Sequence, residues 1–283
     1  MRWLRRLATA LAMPAVLVSA GPLQAAPWEL PRSDVETVSA SDGHAYRVLV
    51  AWPEGPPPAE GWPVLWLLDG EDNFAVAAMT ARRLARAGAR SGVEPGVIVA
   101  IESGGLPRRV LDYTPPAPGY AIPEGMPAHG LNVGGGESFL DFIEERLRPL
   151  VAARWRVDPR RQTLMGHSFG GLLALDAMYE GRGFSRIVAV SPSLWYGDGV
   201  LARSEQHAGS GAKAALLVAA SPDERTRAAP AGAPMAEAEA LVARWRQRGN
   251  AARYLPLPGQ DHGSTMLAAM APAIRAAFGG EAQ

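Results

Sequence analysis

The sequence QTLMGHSFGG occupies positions 162–171 and places a serine between an apolar run and a series of small residues. The apolar run has the composition of a buried strand, and the residues after Ser168 have that of a closely packed helix. Gly166 and Gly170 flank the serine in a G-x-S-x-G pattern. In that pattern a strained strand-to-helix turn exposes the serine hydroxyl, and only small neighbours leave room for the turn. The stretch therefore predicts that Ser168 is a nucleophile at the end of a strand.

Further strand and helix patterns lie on both sides of this stretch. Continuous apolar runs, typical of buried strands, occupy residues 64–68, 96–101, 187–190 and 214–220. Helical patterns alternate with them at residues 74–87, 137–150, 234–248 and 264–278. A hairpin over 38–53 is expected first, and a strand at 253–257, which Pro256 assigns to an edge, is expected last. The alternation predicts an α/β fold with a mostly parallel sheet and helices on both faces.

The segment 103–136 interrupts this alternation. It is rich in glycine and proline and shows no sustained period, so we expect a long irregular excursion there. Irregular segments of that length within a compact domain are usually functional. Residues 26–283 show no internal repeat, and their length suits a single domain.

Composition narrows the classes of protein to which the chain can belong. The hydrophobic fraction is 48% and the charged fraction 20%, which fits a globular domain and excludes a disordered chain. The 28 basic residues equal the 28 acidic ones, so no global field attracts nucleic acid or an anionic membrane. Cysteine is absent, which excludes disulfides, a thiol nucleophile and a cysteine-rich metal site. We expect neither nucleic acid nor a metal or other cofactor as a partner.

The N-terminal residues have the pattern of a secretory signal. Arg2, Arg5 and Arg6 precede a nearly charge-free run at 7–20, and small residues follow it. The run is shorter than the ~20 apolar residues of a membrane span and is interrupted by proline. We therefore predict a signal peptide at 1–25, a periplasmic or secreted protein, and no stable membrane insertion after cleavage. An N-terminal helix of the mature fold and a retained anchor are the alternatives.

A serine nucleophile needs a base that takes its proton, and histidine is the usual one. Five histidines are available: His44, His129, His167, His207 and His262. Of these, His262 follows the last predicted strand, where the chain order serine, acid, histidine places the base. The others lie in the lead-in hairpin, in the excursion, directly beside Ser168 or away from any strand end. His262 is therefore the predicted base, and His129 either lines the site or is solvated.

The acid that orients the base is expected after the preceding strand, at 214–220. Two adjacent carboxylates, Asp223 and Glu224, follow that strand. The position in the loop favours Asp223, with Glu224 as the alternative. Asp261 is less suited because the side chains of neighbouring residues diverge in an extended loop. A serine–histidine dyad without a working acid stays open as well.

The negative charge that develops on the substrate oxygen needs preorganised N–H donors, each worth about 10² to 10³ in rate. The N–H of Phe169, directly after the nucleophile, is the first predicted donor. The second is expected after the earlier strand at 64–68, where Asp69 and Gly70 follow, and we predict Gly70. An ordinary turn is the alternative interpretation of that dipeptide.

Several motifs of the chain resemble those of the esterase branch of the α/β-hydrolases. Besides the GHSFG elbow, these are LLDG at 67–70, DYTP at 112–115, GGG at 134–136, RRQ at 160–162 and SPSLW at 191–195. Within that branch the chain is most similar to the periplasmic trilactone esterases that open ferric enterobactin and related catecholate siderophores. The similarity runs from about residue 38 to the C-terminus.

The resemblance implies an α/β-hydrolase fold and a serine–histidine hydrolase, without a metal cofactor, that cleaves ester bonds between the serine units of a cyclic scaffold. Ser168 and His262 match the catalytic positions, and Gly70 and Phe169 match the oxyanion hole. The chain departs from the family pattern at 219–222, where AASP replaces a stretch rich in glycine and glutamate. This departure leaves the identity of the acid open.

The resemblance also places Arg109 where an arginine of the family contacts anionic catecholate groups. A ferric catecholate is a large anion, and arginine suits it because guanidinium offers several planar donors and stacks on rings. Arg108 is the neighbouring candidate, and a solvated surface role is the competing interpretation for both. Trp195, after the predicted strand at 187–190, is predicted either to stack on a catechol ring or to pack within the protein.

These observations predict a serine esterase that acts on a small-molecule ester, with a ferric siderophore trilactone as the substrate that the resemblance implies. A general carboxylesterase or an acyltransferase would use the same acyl-enzyme. A non-catalytic periplasmic binding protein that keeps the fold is a third hypothesis. The presence of Ser168, His262 and a nearby carboxylate disfavours it.

Overall fold

The computed structural model describes residues 27–126, 128–209, 213–224 and 233–280. From Arg32 onward the described residues form one compact unit, to which residues 27–31 do not belong. The predicted signal peptide at 1–25 lies outside the described residues.

An eight-stranded sheet runs through the described part of the compact unit, in the order β1-β2-β4-β3-β5-β6-β7-β8. The strands are β1 Ser33–Ser39, β2 Ala45–Ala51, β3 Trp62–Leu67, β4 Val97–Ile101, β5 Val157–His167, β6 Arg186–Val190, β7 Ala215–Ala220 and β8 Ala252–Pro256. β1 and β2 form the predicted hairpin, and β2 pairs antiparallel with β4. All pairs from β4 to β8 are parallel, so the carboxyl ends of these strands share one edge. β8 ends the sheet, as its proline predicted.

From β3 onward, at least one helix follows each strand. The helices are α1 Gly70–Arg86, α2 Leu106–Asp112, α3 Gly136–Asp141, α4 Arg148–Arg154, α5 Phe169–Glu180, α6 Val200–His207, α7 Ala233–Gln247 and α8 Ser264–Phe278. A 3-10 turn at Gly88–Arg90 follows α1, and a π-helical segment at Phe142–Leu147 joins α3 to α4. The helix predicted at 137–150 thus runs as far as Arg154.

Alternating residues of β3 are buried on both faces of the sheet. Val64 and Trp66 belong to a hydrophobic core that includes Leu172 of α5. Leu65 and Leu67 are fully buried too, and they point to the opposite face because side chains alternate along a strand. Helices α1 and α8, which pack together and contact β3, have their buried residues outside that core. The predicted α/β fold with helices on both faces is confirmed.

The prediction of an irregular excursion over 103–136 is wrong near its start, where α2 forms. Gly105, with φ 96°, precedes the helix, and Pro107 fits its first turn because a proline there forfeits no intrahelical hydrogen bond. An ion pair between Arg108 and Asp112, one helical turn apart, spans the helix. The described residues between α2 and α3 are irregular, as predicted.

Candidate active site

Ser168 occupies the sharp turn between β5 and α5. Its backbone has φ 58° and ψ −116°, a conformation that residues with a side chain rarely adopt and that is expected of a nucleophile elbow. A Cβ atom added to Gly166 would lie 2.3 Å from the carbonyl carbon of Gly170. One added to Gly171 would lie 3.1 Å from Cα of Pro192. The turn therefore leaves no room for a side chain at Gly166 and little at Gly171.

The carboxyl ends of neighbouring strands surround Ser168. Hydrogen bonds just beyond the strands join these ends: Leu68 N donates to Met165 O at 3.0 Å, Ser168 N to Val190 O at 3.0 Å, and Ser191 N to Ala219 O at 2.7 Å. The turns after β3, β5, β6 and β7 consequently meet at one edge of the sheet. Open α/β sheets bind their ligands at this edge.

His262 lies in the loop between β8 and α8 and is paired with a carboxylate. Its Nδ1 donates a hydrogen bond to Oε1 of Glu224, which leaves Nε2 free to accept a proton. The other carboxylate oxygen, Oε2, accepts a hydrogen bond from Ser191 Oγ at 2.8 Å. Burial raises the pKa of Glu224, but the hydrogen bonds from His262 and Ser191 outweigh it and hold the pKa below its ordinary value. Glu224 is therefore ionised opposite the imidazole.

The preference for Asp223 as the acid is wrong in this structure, which pairs the alternative, Glu224, with His262. The N–H of Asp223 donates to Ser221 Oγ at 3.1 Å, and its Oδ2 accepts the N–H of Gly259 at 2.7 Å. Asp223 is exposed, whereas Glu224 is only 2% exposed. Adjacent residues of an extended loop direct their side chains to opposite sides, so only one of the two faces the histidine.

His167 anchors the loop that carries His262. Its Nε2 donates a hydrogen bond to the carbonyl oxygen of His262 at 2.7 Å, and the two rings lie 4.6 Å apart. Thr265 Oγ1 donates to the same carbonyl at 2.8 Å. Burial, together with the nearby His262, lowers the pKa of His167 from 6.5 to about 4, so its ring is neutral. The sequence interpretation missed this role, because the contact joins two residues that are 95 positions apart in the sequence.

Ser193 brings a second hydroxyl to the elbow. Its Oγ lies 3.2 Å from Ser168 Oγ, and its N–H donates to the carbonyl oxygen of Ser168 at 3.1 Å. Ser193 is buried, so its hydroxyl is largely shielded from bulk water. The sequence interpretation did not single it out, although it belongs to the SPSLW motif.

Gly70 and Phe169 begin two helices at the same edge of the sheet. Gly70 is the first residue of α1 and Phe169 the first of α5, so neither N–H has an acceptor within its own helix. Strands β3 and β5, which precede these helices, pair directly. A Cβ atom at Gly70 would lie 3.0 Å from the carbonyl carbon of Ile101, so a side chain there is crowded by backbone. The placement suits the two predicted oxyanion donors, whose role stays a prediction.

Arg109 does not extend a free guanidinium into the site. Its Nε donates to Asp69 Oδ1 at 2.5 Å and its Nη2 to Asp69 Oδ2 at 2.9 Å. The same Nη2 donates to the carbonyl oxygen of His167 at 3.1 Å. Asp69 is buried, so the pair is largely shielded from water. The predicted contact of Arg109 with a substrate anion stays a prediction, and this arrangement does not favour it.

Arg108 is also paired, with partners other than those of Arg109. Its Nε donates to the hydroxyl of Tyr46 and to Asp112, and its Nη1 donates to Asp42. Its predicted contact with a substrate anion likewise stays a prediction, because acceptors within the protein already occupy its donors.

Trp195 forms part of the wall beside the elbow. It is half-buried and packs edge-on against Phe169, with ring centroids 5.7 Å apart. Both predicted roles, stacking on a substrate ring and packing, therefore remain open. His129 bonds through Nδ1 to the carbonyl oxygen of Ile122 at 2.8 Å, which is a contact within the excursion.

Comparison with known families places the chain among esterases. The model of the Esterase family, described as "Putative esterase", matches residues 39–275. The chain belongs to this family. The match includes Ser168, Glu224 and His262, so the whole candidate site lies within the family domain.

Two relatives of this esterase-family chain are similar in sequence. The ferri-bacillibactin esterase BesA of Bacillus subtilis is 31% identical over 189 residues, which cover 63% of this chain and 64% of the relative. The siderophore triacetylfusarinine C esterase of Aspergillus fumigatus is 37% identical over 185 residues, which cover 60% of this chain and 59% of the relative. The chain thus matches less than two thirds of the length of either relative.

A solved structure confirms the fold. The BES protein from Bacillus cereus superposes with a TM-score of 0.80, covering 90% of this chain and 99% of that chain, at 21% identity. At that identity the likeness concerns the fold alone. The predicted α/β-hydrolase fold is confirmed.

Neither a metal site nor a membrane span is found in the part of the chain that the structure describes. No group of three or more His, Cys, Asp or Glu side chains in that part could hold a metal ion. No helix in it is long and apolar enough to cross a bilayer.

Proposed function

We propose that the chain is a serine esterase that cleaves ester bonds in siderophores. The observation that carries the proposal is the pairing of Glu224 with His262 at the edge where Ser168 occupies the strained elbow. The three residues follow the chain order of nucleophile, acid and base that G-x-S-x-G hydrolases use. Membership of the esterase family and the names of the two relatives, both siderophore esterases, support the same activity.

In the first half of the reaction, Ser168 Oγ attacks the carbonyl carbon of the ester and its proton passes to Nε2 of His262. The ionised Glu224 stabilises the imidazolium through Nδ1, and the N–H groups of Gly70 and Phe169 bind the oxyanion. The tetrahedral intermediate then expels the alcohol, which takes the proton from His262. The acyl group stays on Ser168.

In the second half, His262 takes a proton from water, and the resulting hydroxide attacks the acyl carbon. The second tetrahedral intermediate releases the carboxylic acid as His262 returns its proton to Ser168 Oγ. The reaction consumes one water per ester bond and leaves the side chains of the site in their starting states.

The proposed substrate is the trilactone scaffold of a catecholate siderophore, as the ferric complex or without iron. The names of the relatives agree on siderophore esters but differ in the siderophore, bacillibactin in one and triacetylfusarinine C in the other. A cyclic triester suits a site of this kind because each of its ester bonds offers the same carbonyl to Ser168.

Product analysis tests this assignment. The purified protein is incubated with ferric enterobactin, with iron-free enterobactin and with p-nitrophenyl butyrate, and the products are separated by chromatography. Opening of the trilactone is the expected result. Turnover of the aryl ester without ring opening would instead indicate a general carboxylesterase, and preferential transfer to an added alcohol would indicate an acyltransferase.

Removal of the nucleophile tests the catalytic role of Ser168. Ser168→Ala is expected to lower turnover by at least ~10³, because the acyl-enzyme can no longer form. The melting temperature is expected to change little, and a fluorophosphonate probe is expected to label the wild type alone. A wild type that the probe leaves unlabelled would support a non-catalytic binding protein.

Export from the cytoplasm is part of the proposal. It is supported by the basic start, the apolar run at 7–20 and the small residues that follow. Mass spectrometry of protein recovered from a periplasmic extract or from the medium is expected to show an N-terminus at Ala26. Recovery of the full-length chain in the membrane fraction would show a retained anchor instead.

A further inference from the structure

The turn between β3 and α1 has an unusual backbone. Asp69 has φ 54° and ψ 53°, in the left-handed region that residues with a side chain disfavour. Such a conformation persists only where the surrounding structure holds it. The next residue is Gly70, whose N–H is one of the proposed oxyanion donors. The contacts that hold Asp69 therefore also fix the direction of that N–H.

Each polar group of Asp69 has a partner. Its N–H donates to the hydroxyl of Tyr113 at 3.2 Å, and its carbonyl oxygen accepts from Asn73 Nδ2 at 2.9 Å. Its two carboxylate oxygens accept from Nε and Nη2 of Arg109 at 2.5 and 2.9 Å. The guanidinium carbon of Arg109 lies 5.3 Å from the ring centroid of Tyr113, so these two residues of one chain segment support the turn together.

Arg109 also contacts the turn between β5 and α5. The Nη2 that bonds Asp69 donates to the carbonyl oxygen of His167 at 3.1 Å. His167 ends β5, and Phe169, which carries the other proposed donor, comes two residues later. Because the guanidinium is planar and its donors have fixed directions, one side chain sets the position of both turns relative to each other.

We infer that Arg109 is a positioning residue that holds the turns of Gly70 and Phe169 at the separation the oxyanion requires. The inference rests on the proposed esterase function. Nε and Nη2 of Arg109 donate to acceptors within the protein, and its side chain is only 18% exposed. A displaced oxyanion donor weakens binding of the transition state more than binding of the ester. Loss of Arg109 therefore lowers kcat and leaves KM nearly unchanged.

The test compares Arg109→Gln with the wild type on p-nitrophenyl butyrate, a neutral ester that needs no cationic contact. One oxyanion donor is worth about 10² to 10³ in rate, so we expect kcat to fall by at least ~30-fold with KM within ~3-fold. The rate of labelling by a fluorophosphonate probe is expected to fall in parallel. Both are measured well below the melting temperature of the variant.

Arg182→Gln is the matched control. The side chain of Arg182 is 17% exposed and is paired with Asp141 and Glu180, so the change likewise removes the charge and the ion pairs of a mostly buried arginine. Arg182 follows α5, whose 12 residues place it about 18 Å from the elbow. This variant is expected to keep kcat within ~2-fold of the wild type. An equal loss of kcat in both variants would overturn the inference, because it would trace the loss to stability alone.

Two further outcomes separate the inference from the function on which it rests. A wild-type kcat for Arg109→Gln on the neutral ester, with a raised KM for ferric enterobactin, would overturn the inference and make Arg109 a substrate contact. A wild type that the probe does not label would overturn the proposed function and the inference with it.

Asp69→Asn provides a second route if Arg109→Gln fails to fold. Asparagine tolerates the left-handed conformation but removes the charge that pairs with the guanidinium. Its kcat is expected to fall as well. The kcat of the double variant is expected to be little lower than that of either single variant, because both changes remove the same interaction. A wild-type kcat for Asp69→Asn would overturn the inference.

Discussion

Glu224 and Asp223 are adjacent carboxylates, and changing one oxygen of each to an amide nitrogen tests which of them serves His262. Glu224→Gln keeps the length of the side chain but replaces a carboxylate oxygen with an amide, which can donate to the imidazole. The amide favours the wrong tautomer of His262, so we expect kcat for an aryl ester to fall by about 10²- to 10⁴-fold. Steady-state hydrolysis at neutral pH measures the fall.

Asp223→Asn makes the same chemical change on the neighbouring residue. The Asp223 carboxylate bonds the N–H of Gly259 and does not contact the imidazole, and an amide oxygen can keep that bond. We expect kcat to stay within about threefold of the wild type. Similar losses in the two variants would contradict the assignment of Glu224 as the acid.

His167 makes the stability of the fold depend on pH. Burial lowers its pKa from 6.5 to about 4, so between these pH values the unfolded chain binds a proton that the folded chain does not. The free energy of unfolding is therefore unaffected by this group above pH 6.5, and it decreases as the pH falls from 6.5 towards 4. The difference in pKa corresponds to about 3 kcal/mol in the free energy of unfolding.

His167→Gln isolates this effect. Glutamine can still donate to the carbonyl oxygen of His262, but it does not titrate. Urea unfolding at pH 7 and pH 4.5 is expected to show that the wild type loses about 2 to 3 kcal/mol more than the variant. Equal losses in the two proteins would mean that His167 titrates alike in the folded and unfolded states.

The elbow between β5 and α5 is tightly packed, because its glycines let two backbone segments come into contact. At Gly166 the Cβ atom of an alanine would lie 2.3 Å from the backbone of Gly170, which cannot move without displacing α5. We expect Gly166→Ala to lower the free energy of unfolding by at least about 2 kcal/mol. Labelling of Ser168 by a fluorophosphonate is expected to slow. Urea unfolding and the labelling rate measure the two effects.

Gly263 is the control position for Gly166, because an alanine is expected to be tolerated there. It has helical φ and ψ, and the nearest atom to an added Cβ is Asp261 Oδ1 at 3.7 Å. Gly263→Ala is expected to keep or raise the free energy of unfolding by up to about 1 kcal/mol, because alanine restricts the unfolded chain. A loss as large as that of Gly166→Ala would show that any alanine near the site destabilises it.

The sequence predicts the sheet because most of the parallel strands contain a continuous apolar run, as in Val97–Ile101, where all five residues are buried. It misses α2 because seven residues hold fewer than two helical periods of hydrophobic pattern. That helix is also held by distant partners, among them Asp69 and Tyr46, which no local pattern shows. The direction of a loop side chain likewise depends on distant partners that no local pattern shows. The choice between Asp223 and Glu224 therefore could not be made from their spacing.

At the scale of the whole molecule, the charge balance bears on how the proposed substrate, an anionic siderophore, would reach the site. Residues 1–25 contain three arginines and no acidic residue, so cleavage of the proposed signal peptide would leave 25 basic residues against 28 acidic ones, a formal charge of −3. Arg108 and Arg109 are paired with carboxylates. Neither the net charge nor these two arginines supplies a positive field that would steer an anion to the nucleophile.

We therefore expect that added salt does not slow the encounter with ferric enterobactin. Steered association gains about 10- to 10³-fold in rate and loses it as ionic strength rises. For this protein, kcat/KM is expected to fall by less than about threefold between about 0.05 and 0.5 M NaCl, although the Debye length shortens markedly over that range. p-Nitrophenyl butyrate, measured in the same buffers, controls for effects of salt on the chemistry. A tenfold fall confined to the siderophore would require an attractive positive surface near the site and would contradict a charge balance without steering.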